Sequence, residues 1–266
     1  MNIKHLPCAR CTSNTQIHHL REHAQDYILG EFKQELSEVM KKLGLPVTVV
    51  GDNDVLDDNG EPLKVPHDKD PSVIFVKYPS LYKSNAPYAT PVVKIEISVL
   101  SMAEPFEERR ISSLIEQEFE NEDVDSDFAQ IIRTVTPVRT FLEKAFLLCE
   151  EYQKPEPRTY RMSRHFYDLE KLMQTPYADM ALKDTALYED IVRHRRKFYH
   201  VGYVDYTKGL PPNIQIVPND LLLPSYEADY NEMRKSFIYG KSLDFSSLMD
   251  RMMELQERFH KIPNRQ

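Results

Sequence analysis

A change of hydrophobic period near Thr136 limits what this chain can become more than any other feature. Before it, β-branched runs at 47–50, 73–78 and 92–100 are separated by loops rich in Asp, Asn, Gly and Pro. Such runs read as an antiparallel or mixed sheet. One amphipathic helix precedes them, with Phe32, Leu36, Val39, Met40 and Leu43 on one stripe and Gly44 as its stop. After Thr136 the apolar spacing is helical over 137–151, 163–173, 183–199, 226–239 and 244–260. In the last of these, Phe245, Leu248, Met249, Met252, Leu255 and Phe259 form one face and Asp244 is placed to cap. The pattern predicts an α+β protein with a sheet-containing domain over 1–130 and a helical domain over 131–266.

Glycine usage narrows the chemistry. The 266 residues include 7 glycines, where an average chain of this length carries roughly 18. No two of them lie within two positions of each other, so neither a dinucleotide fingerprint nor a P-loop is present. Three cysteines argue against a disulfide framework and for a reducing compartment. No apolar run approaches the length of a membrane span, and residues 1–15 lack the apolar core of a secretion signal. The expectation is a cytoplasmic protein with no membrane partner. Through Gln130 the chain has 13 basic and 23 acidic residues, net −10, whereas the remaining 21 basic and 19 acidic residues give +2. That division excludes a generic nucleic-acid binder but leaves room for a local phosphate site in the second half.

Candidate residues follow from the elements. In the run 92–100, Val93, Ile95, Ile97 and Val99 alternate with Lys94, Glu96 and Ser98, so Glu96 points away from the apolar layer. A solvated face is the simple reading; a rigidly held carboxylate ligand for Mg²⁺ is the functional one. Lys144 sits among Phe141, Leu142, Ala145, Phe146, Leu147 and Leu148. Its ammonium therefore needs an anion or a route to water, and either snorkelling or phosphate binding satisfies it. Ser163 is placed to cap the next helix, Arg164 and Asp168 stand one turn apart, and Arg161 lies just before it. An ordinary ion pair competes there with a guanidinium site for phosphate. The run Arg193-His194-Arg195-Arg196-Lys197 is either a solvated helix face or, with Arg158, a phosphate surface. Cys8-x₂-Cys11 with His18, His19 and His23 is zinc-like, although its loop is shorter than that of a zinc finger.

The segments "TVTPVRTFLEKAFLLCEEY" and "RMSRHFYDLEKLM" resemble the AbiEii/AbiGii toxin family of nucleotidyltransferases. "YEADYNEMRKSFIYGKSLDFSSLM" is similar to that family's closing segment and "VVKIEISV" to its third-carboxylate strand, so the likeness runs from about 28 to 259 in element order. The resemblance implies a polymerase-β-like nucleotidyltransferase domain followed by a helical domain. It implies a toxin of abortive-infection or type IV toxin–antitoxin systems that moves NMP from NTP, with Mg²⁺, to an RNA acceptor such as tRNA. A cognate antitoxin is also implied, not necessarily in direct contact. By motif, Glu96 matches the third metal-site carboxylate, Lys144 the lysine near the triphosphate, and Asp168 the last aspartate, which orients that lysine or the acceptor hydroxyl. Arg161, Arg164 and Lys94 are the implied nucleotide or RNA contacts.

The family's opening Gly-Gly or Gly-Ser turn and the Asp-x-Asp pair after it are missing. Those aspartates hold the Mg²⁺ ions of this chemistry, so Glu96 alone is a poor metal site. Asp123-Val124-Asp125 follows the Glu96 run instead of preceding it and reads as a solvated loop, while Asp52-Asn53-Asp54 reads as a turn with Gly51. The expectation is a remnant sheet domain with a misassigned start, a disrupted gene or a split partner chain, weakly active or inactive as it stands. The alternative function is non-catalytic binding of RNA, nucleotide or a partner.

Overall fold

The computed structural model describes residues 13–55, 64–81, 90–102, 105–118, 130–199 and 201–263. The chain divides into two compact units, Met1–Ser101 and Met102–Gln266.

In the first unit, α1 (Asn14–Tyr27) starts at a reciprocal cap, in which the Gln16 amide donates to Ser13 Oγ and the Ser13 amide donates to Gln16 Oε1. A π turn, Ile28–Phe32, joins it to α2 (Lys33–Lys42), and Gly44 follows at φ 68°, a left-handed conformation natural to glycine. The stripe read from Phe32 onward is thus the end of a longer helix. Its first half is too polar to show a period.

Strands β1 (Thr48–Gly51), β2 (Ser72–Lys77) and β3 (Val92–Ile97) form an antiparallel sheet with β2 in the centre. The register sets Ile74 opposite both Gly51 and Ile95, and Val76 opposite both Val49 and Val93. Ile74 packs with Ile28 and Leu29 of the π turn, and Val49, Ile95, Ile97, Phe32 and Leu36 close around them. One face of the sheet is therefore covered by helix. Strand alternation puts Lys94 and Glu96 on the other.

The second unit opens with an antiparallel ribbon, β4 (Phe106–Ile111) paired with β5 (Gln130–Val135). Ile131 and Ile132 are both exposed on it, so no buried face disciplines its sequence, and the period-2 pattern that marks the other strands is absent. A short helix, α3 (Leu114–Glu118), belongs to the same stretch. The helices that follow are α4 (Pro137–Glu151), α5 (Ser163–Met173), α6 (Pro176–Lys183), α7 (Thr185–His194), α8 (Leu223–Ser236) and α9 (Phe245–His260).

Local chemistry sets several of their ends. Thr136 caps α4 with Pro137 in its first turn, and Asp244 caps α9 through the Ser247 amide at 2.9 Å. The predicted helix over 183–199 is corrected: α6 ends at Lys183, and Asp184 caps a separate α7 through the Leu187 amide, after which Arg195–Tyr199 continue as a π turn. Buried rings bind the bundle: Phe141 stacks on Phe259 at 6.0 Å and Phe146 meets Tyr188 edge-on at 4.8 Å. Every member of the α9 stripe is buried. The architecture is α+β, and among the described residues no helix is long and apolar enough to cross a membrane.

Candidate phosphate site

α4 and α5 meet with Lys144 and Asp168 facing each other. Lys144 Nζ donates to Asp168 Oδ2 at 2.6 Å, with the lysine side chain 23% and the aspartate 39% exposed. The ammonium on this apolar helix has found an anion and still reaches solvent. Asp168 thus pairs across helices with Lys144 and not with Arg164 one turn away, so the intrahelical pairing suggested by their spacing gives way to packing between helices. Arg164 is exposed.

Beside them His165 is buried, and its Nδ1 has no hydrogen-bond partner. Burial, followed by the nearby charges of Lys144, Arg164 and Arg158, pulls its pKa down to about 3. The imidazole is thus neutral and registers a locally positive field.

The turn into α5 is held from a distance. Arg161 has φ 58°, strained for a residue with a Cβ. Its amide donates to Asp229 Oδ1 at 2.7 Å, the Ser163 amide donates to Asp229 Oδ2 at 3.0 Å, and the Ser163 hydroxyl donates to the same oxygen. The reading of Ser163 as the cap of α5 is corrected: it is the first helical residue, and the buried carboxylate of Asp229, from α8, does the capping. Nothing in local sequence flags Asp229, because its partners lie 66 and 68 positions away.

Two other cations of the sequence reading are committed elsewhere. Arg158 forks onto the buried Glu151, with Nη2 to Oε2 at 2.7 Å, and its own amide donates to Oε1 at 2.8 Å. Burial pushes the Glu151 carboxyl up, but the bonds from Arg158 and Lys154 prevail and hold it at about 2. Arg195 is buried and donates to both oxygens of Glu150, at 2.6 Å each, and to Glu143. The run 193–197 is therefore not one solvated face. Its central residue ties the π turn to α4.

In the first unit Glu96 is exposed and takes a bond from Lys94 Nζ at 2.7 Å. Asp52 and Asp54 lie in a short 3₁₀ turn, where Asp54 accepts from the Gly51 amide at 2.7 Å. Lys69 holds Asp52 at 2.5 Å and Lys33 holds Asp54 at 2.8 Å. Each of these three carboxylates thus carries an ammonium, and among the described residues no three His, Cys, Asp or Glu side chains converge as a metal site. Mg²⁺ does not fit this arrangement. His18 bonds Asp68 at 3.0 Å, His19 bonds Glu22 at 3.1 Å and His23 is exposed. Cys8, Cys11 and Asp123-Val124-Asp125 lie outside the described residues.

A small antiparallel sheet unit is followed in the chain by a second unit, mostly helical, in which a solvent-reachable Lys144–Asp168 pair lies beside Arg164 and a buried, neutral His165. The sequence model of the family described as nucleotidyl transferase AbiEii toxin, type IV TA system, matches residues 15–251, and the chain belongs to that family. No curated protein and no solved structure matches it.

Proposed function

We propose that this member of the nucleotidyltransferase toxin family engages the triphosphate of an NTP through Lys144 and hands NMP to an RNA acceptor, tRNA being the first to test. The observation that carries this reading is the Lys144–Asp168 pair: an ammonium held at 2.6 Å by a half-exposed carboxylate and still open to solvent. Asp168 fixes its direction, while Arg164 adds positive charge for the phosphates beside a neutral His165. In the reaction, the acceptor hydroxyl oxygen forms a bond to the α-phosphorus as the bond to the β-phosphate oxygen breaks. Pyrophosphate leaves and the hydroxyl proton is lost to water. Lys144 offsets charge on the departing phosphates. The strained turn at Arg161 brings a further guanidinium to the entry of α5, and the first unit is the polymerase-β-like part of the enzyme.

A second reading, binding without transfer, is favoured by one observation: Glu96, Asp52 and Asp54 each lie against a lysine ammonium and not against one another. Incubating the full chain with α-labelled NTP, Mg²⁺ and tRNA separates the two. Label on the RNA that Lys144→Ala abolishes supports transfer. Transfer at the parent rate in Lys144→Ala removes the lysine from the account, and NTP binding with no label transfer leaves the binding reading.

A further inference from the structure

The corner between α8 and α9 carries a feature that neither the fold nor the Lys144 cluster explains. An open groove of about 710 Å³ there is lined by Asn231, Arg234, Lys235, Gly240, Lys241 and Ser242, three cations and no carboxylate. Gly240 turns the chain at φ 80°, and Arg234 Nε donates to Ser242 Oγ at 3.1 Å across the groove. The adjacent acid, Asp244, caps α9, accepting from the Ser247 amide and hydroxyl at 2.9 and 3.0 Å, and its charge also reaches Arg234. Two aromatic residues stand in the same nine-residue stretch, outside the groove's lining, Phe237 at 52% and Tyr239 at 97% exposure.

Helix electrostatics explains part of this. Arg234 and Lys235 sit in the last turn of α8, where cations offset the helix dipole. It does not explain Lys241, which lies beyond the helix, or a tyrosine ring left almost wholly in water. Cations followed along the chain by an exposed ring supply what single-stranded nucleic acid needs: phosphates pair with the cations and a base stacks on the ring regardless of sequence. An acidic peptide would satisfy the cations but would not use the exposed Tyr239 ring. The chain as a whole carries −8, so attraction to a polyanion has to be local, and this groove is local and free of carboxylates. Arg234 lies over the Tyr230 ring at 6.0 Å on α8, the helix whose Asp229 caps α5, and α5 bears Asp168.

We propose that residues 234–242 dock a single-stranded segment of RNA, with Arg234, Lys235 and Lys241 on its phosphates and Tyr239 stacked on a base. The choice of RNA over DNA rests on the RNA-acceptor reading; the docking itself does not. The test titrates the full chain, without NTP or Mg²⁺, into a labelled single-stranded RNA of about ten nucleotides, a length within the usual footprint of such surfaces. Tyr239→Ala is expected to weaken binding about tenfold. Lys235→Ala with Lys241→Ala is expected to reduce the slope of log affinity against log salt by about 1.4, at about 0.7 for each phosphate left without its cation.

The chain has no tryptophan, so Tyr239→Trp places a single indole at the proposed stacking position. Quenching of its emission by RNA is the expected result. Parent affinity in all the variants, or indole emission unchanged at saturating RNA, overturns the proposal. So does displacement of the RNA by an oligoglutamate of equal charge, with equal affinity and no dependence on Tyr239, which would make the groove a site for acidic protein. Unchanged RNA affinity alongside intact label transfer would overturn the groove alone. Groove-dependent RNA binding without any transfer would support the groove and count only against the enzymatic reading.

Discussion

Glu96 and Lys144 each lie against an oppositely charged partner, at 2.7 and 2.6 Å, and the two pairs differ in everything else. Lys94 and Glu96 stand two apart on one strand, both more than half exposed, so water competes for each group and the pair is free to open. Lys144 and Asp168 come from different helices whose other faces are core, so packing fixes where they meet. A short distance alone therefore does not mark a functional pair. What separates the two is the support of the elements that carry them: in the second unit Asp229, Glu151 and Arg195 are each buried under several hydrogen bonds.

The largest way to break this contrast is Arg195→Met. It strands Glu150 and Glu143 without their shared guanidinium, and the expected loss is about 3–5 kcal/mol in urea unfolding. Next is Asp229→Ala, which removes the acceptor for both amides and the hydroxyl at the strained turn. An expected cost of about 3 kcal/mol follows from charged hydrogen bonds of this kind, and amide exchange at 161–163 should rise before the rest of the bundle opens.

His165 has a folded pKa of about 3 against an ordinary 6.5, so the unfolded chain takes up this proton first. Stability is then intact above 6.5 and drains away as the pH falls toward 3. Glu151, held at about 2 from an ordinary 4.5, adds its own loss as the pH falls from 4.5 through 2. Urea midpoints between pH 7 and 5 should therefore decline more in the parent than in His165→Phe, because the variant keeps the opposing gain from His67, whose pKa Asp26 and Glu22 raise, and lacks the loss from His165. At the smallest end, Lys94→Ala should change stability by less than about 1 kcal/mol; a loss above about 2 kcal/mol would show that the sheet pair is as well supported as the helical one.

What could be read from the sequence was what neighbours along the chain decide. The start of α4 at Thr136-Pro137, the α9 stripe and the Asp244 cap follow from spacing and cap chemistry within a few residues. The outward face of Lys94 and Glu96 follows from alternation, and the turn at Asp52–Asp54 from its composition. The ribbon β4–β5 did not announce itself, because exposed Ile131 and Ile132 break the period that burial imposes. Asp229 was hidden for another reason. Its role is created by α8 packing on the start of α5, and an isolated aspartate in a polar helix carries no mark of that contact. The basic run at 193–197 misled because composition does not tell a buried guanidinium such as Arg195 from its exposed neighbours.

On the proposed reading, phosphate recognition belongs to the helical unit and not to the exposed strand pair. Titrating a fluorescent NTP into the full chain and into Lys144→Ala and Glu96→Ala, without added metal, tests it most directly. The expected result is at least a roughly tenfold loss of affinity in Lys144→Ala, the scale of one charge-assisted phosphate bond, and parent affinity in Glu96→Ala. The reverse order, with Glu96→Ala losing the nucleotide while Lys144→Ala keeps it, would contradict it.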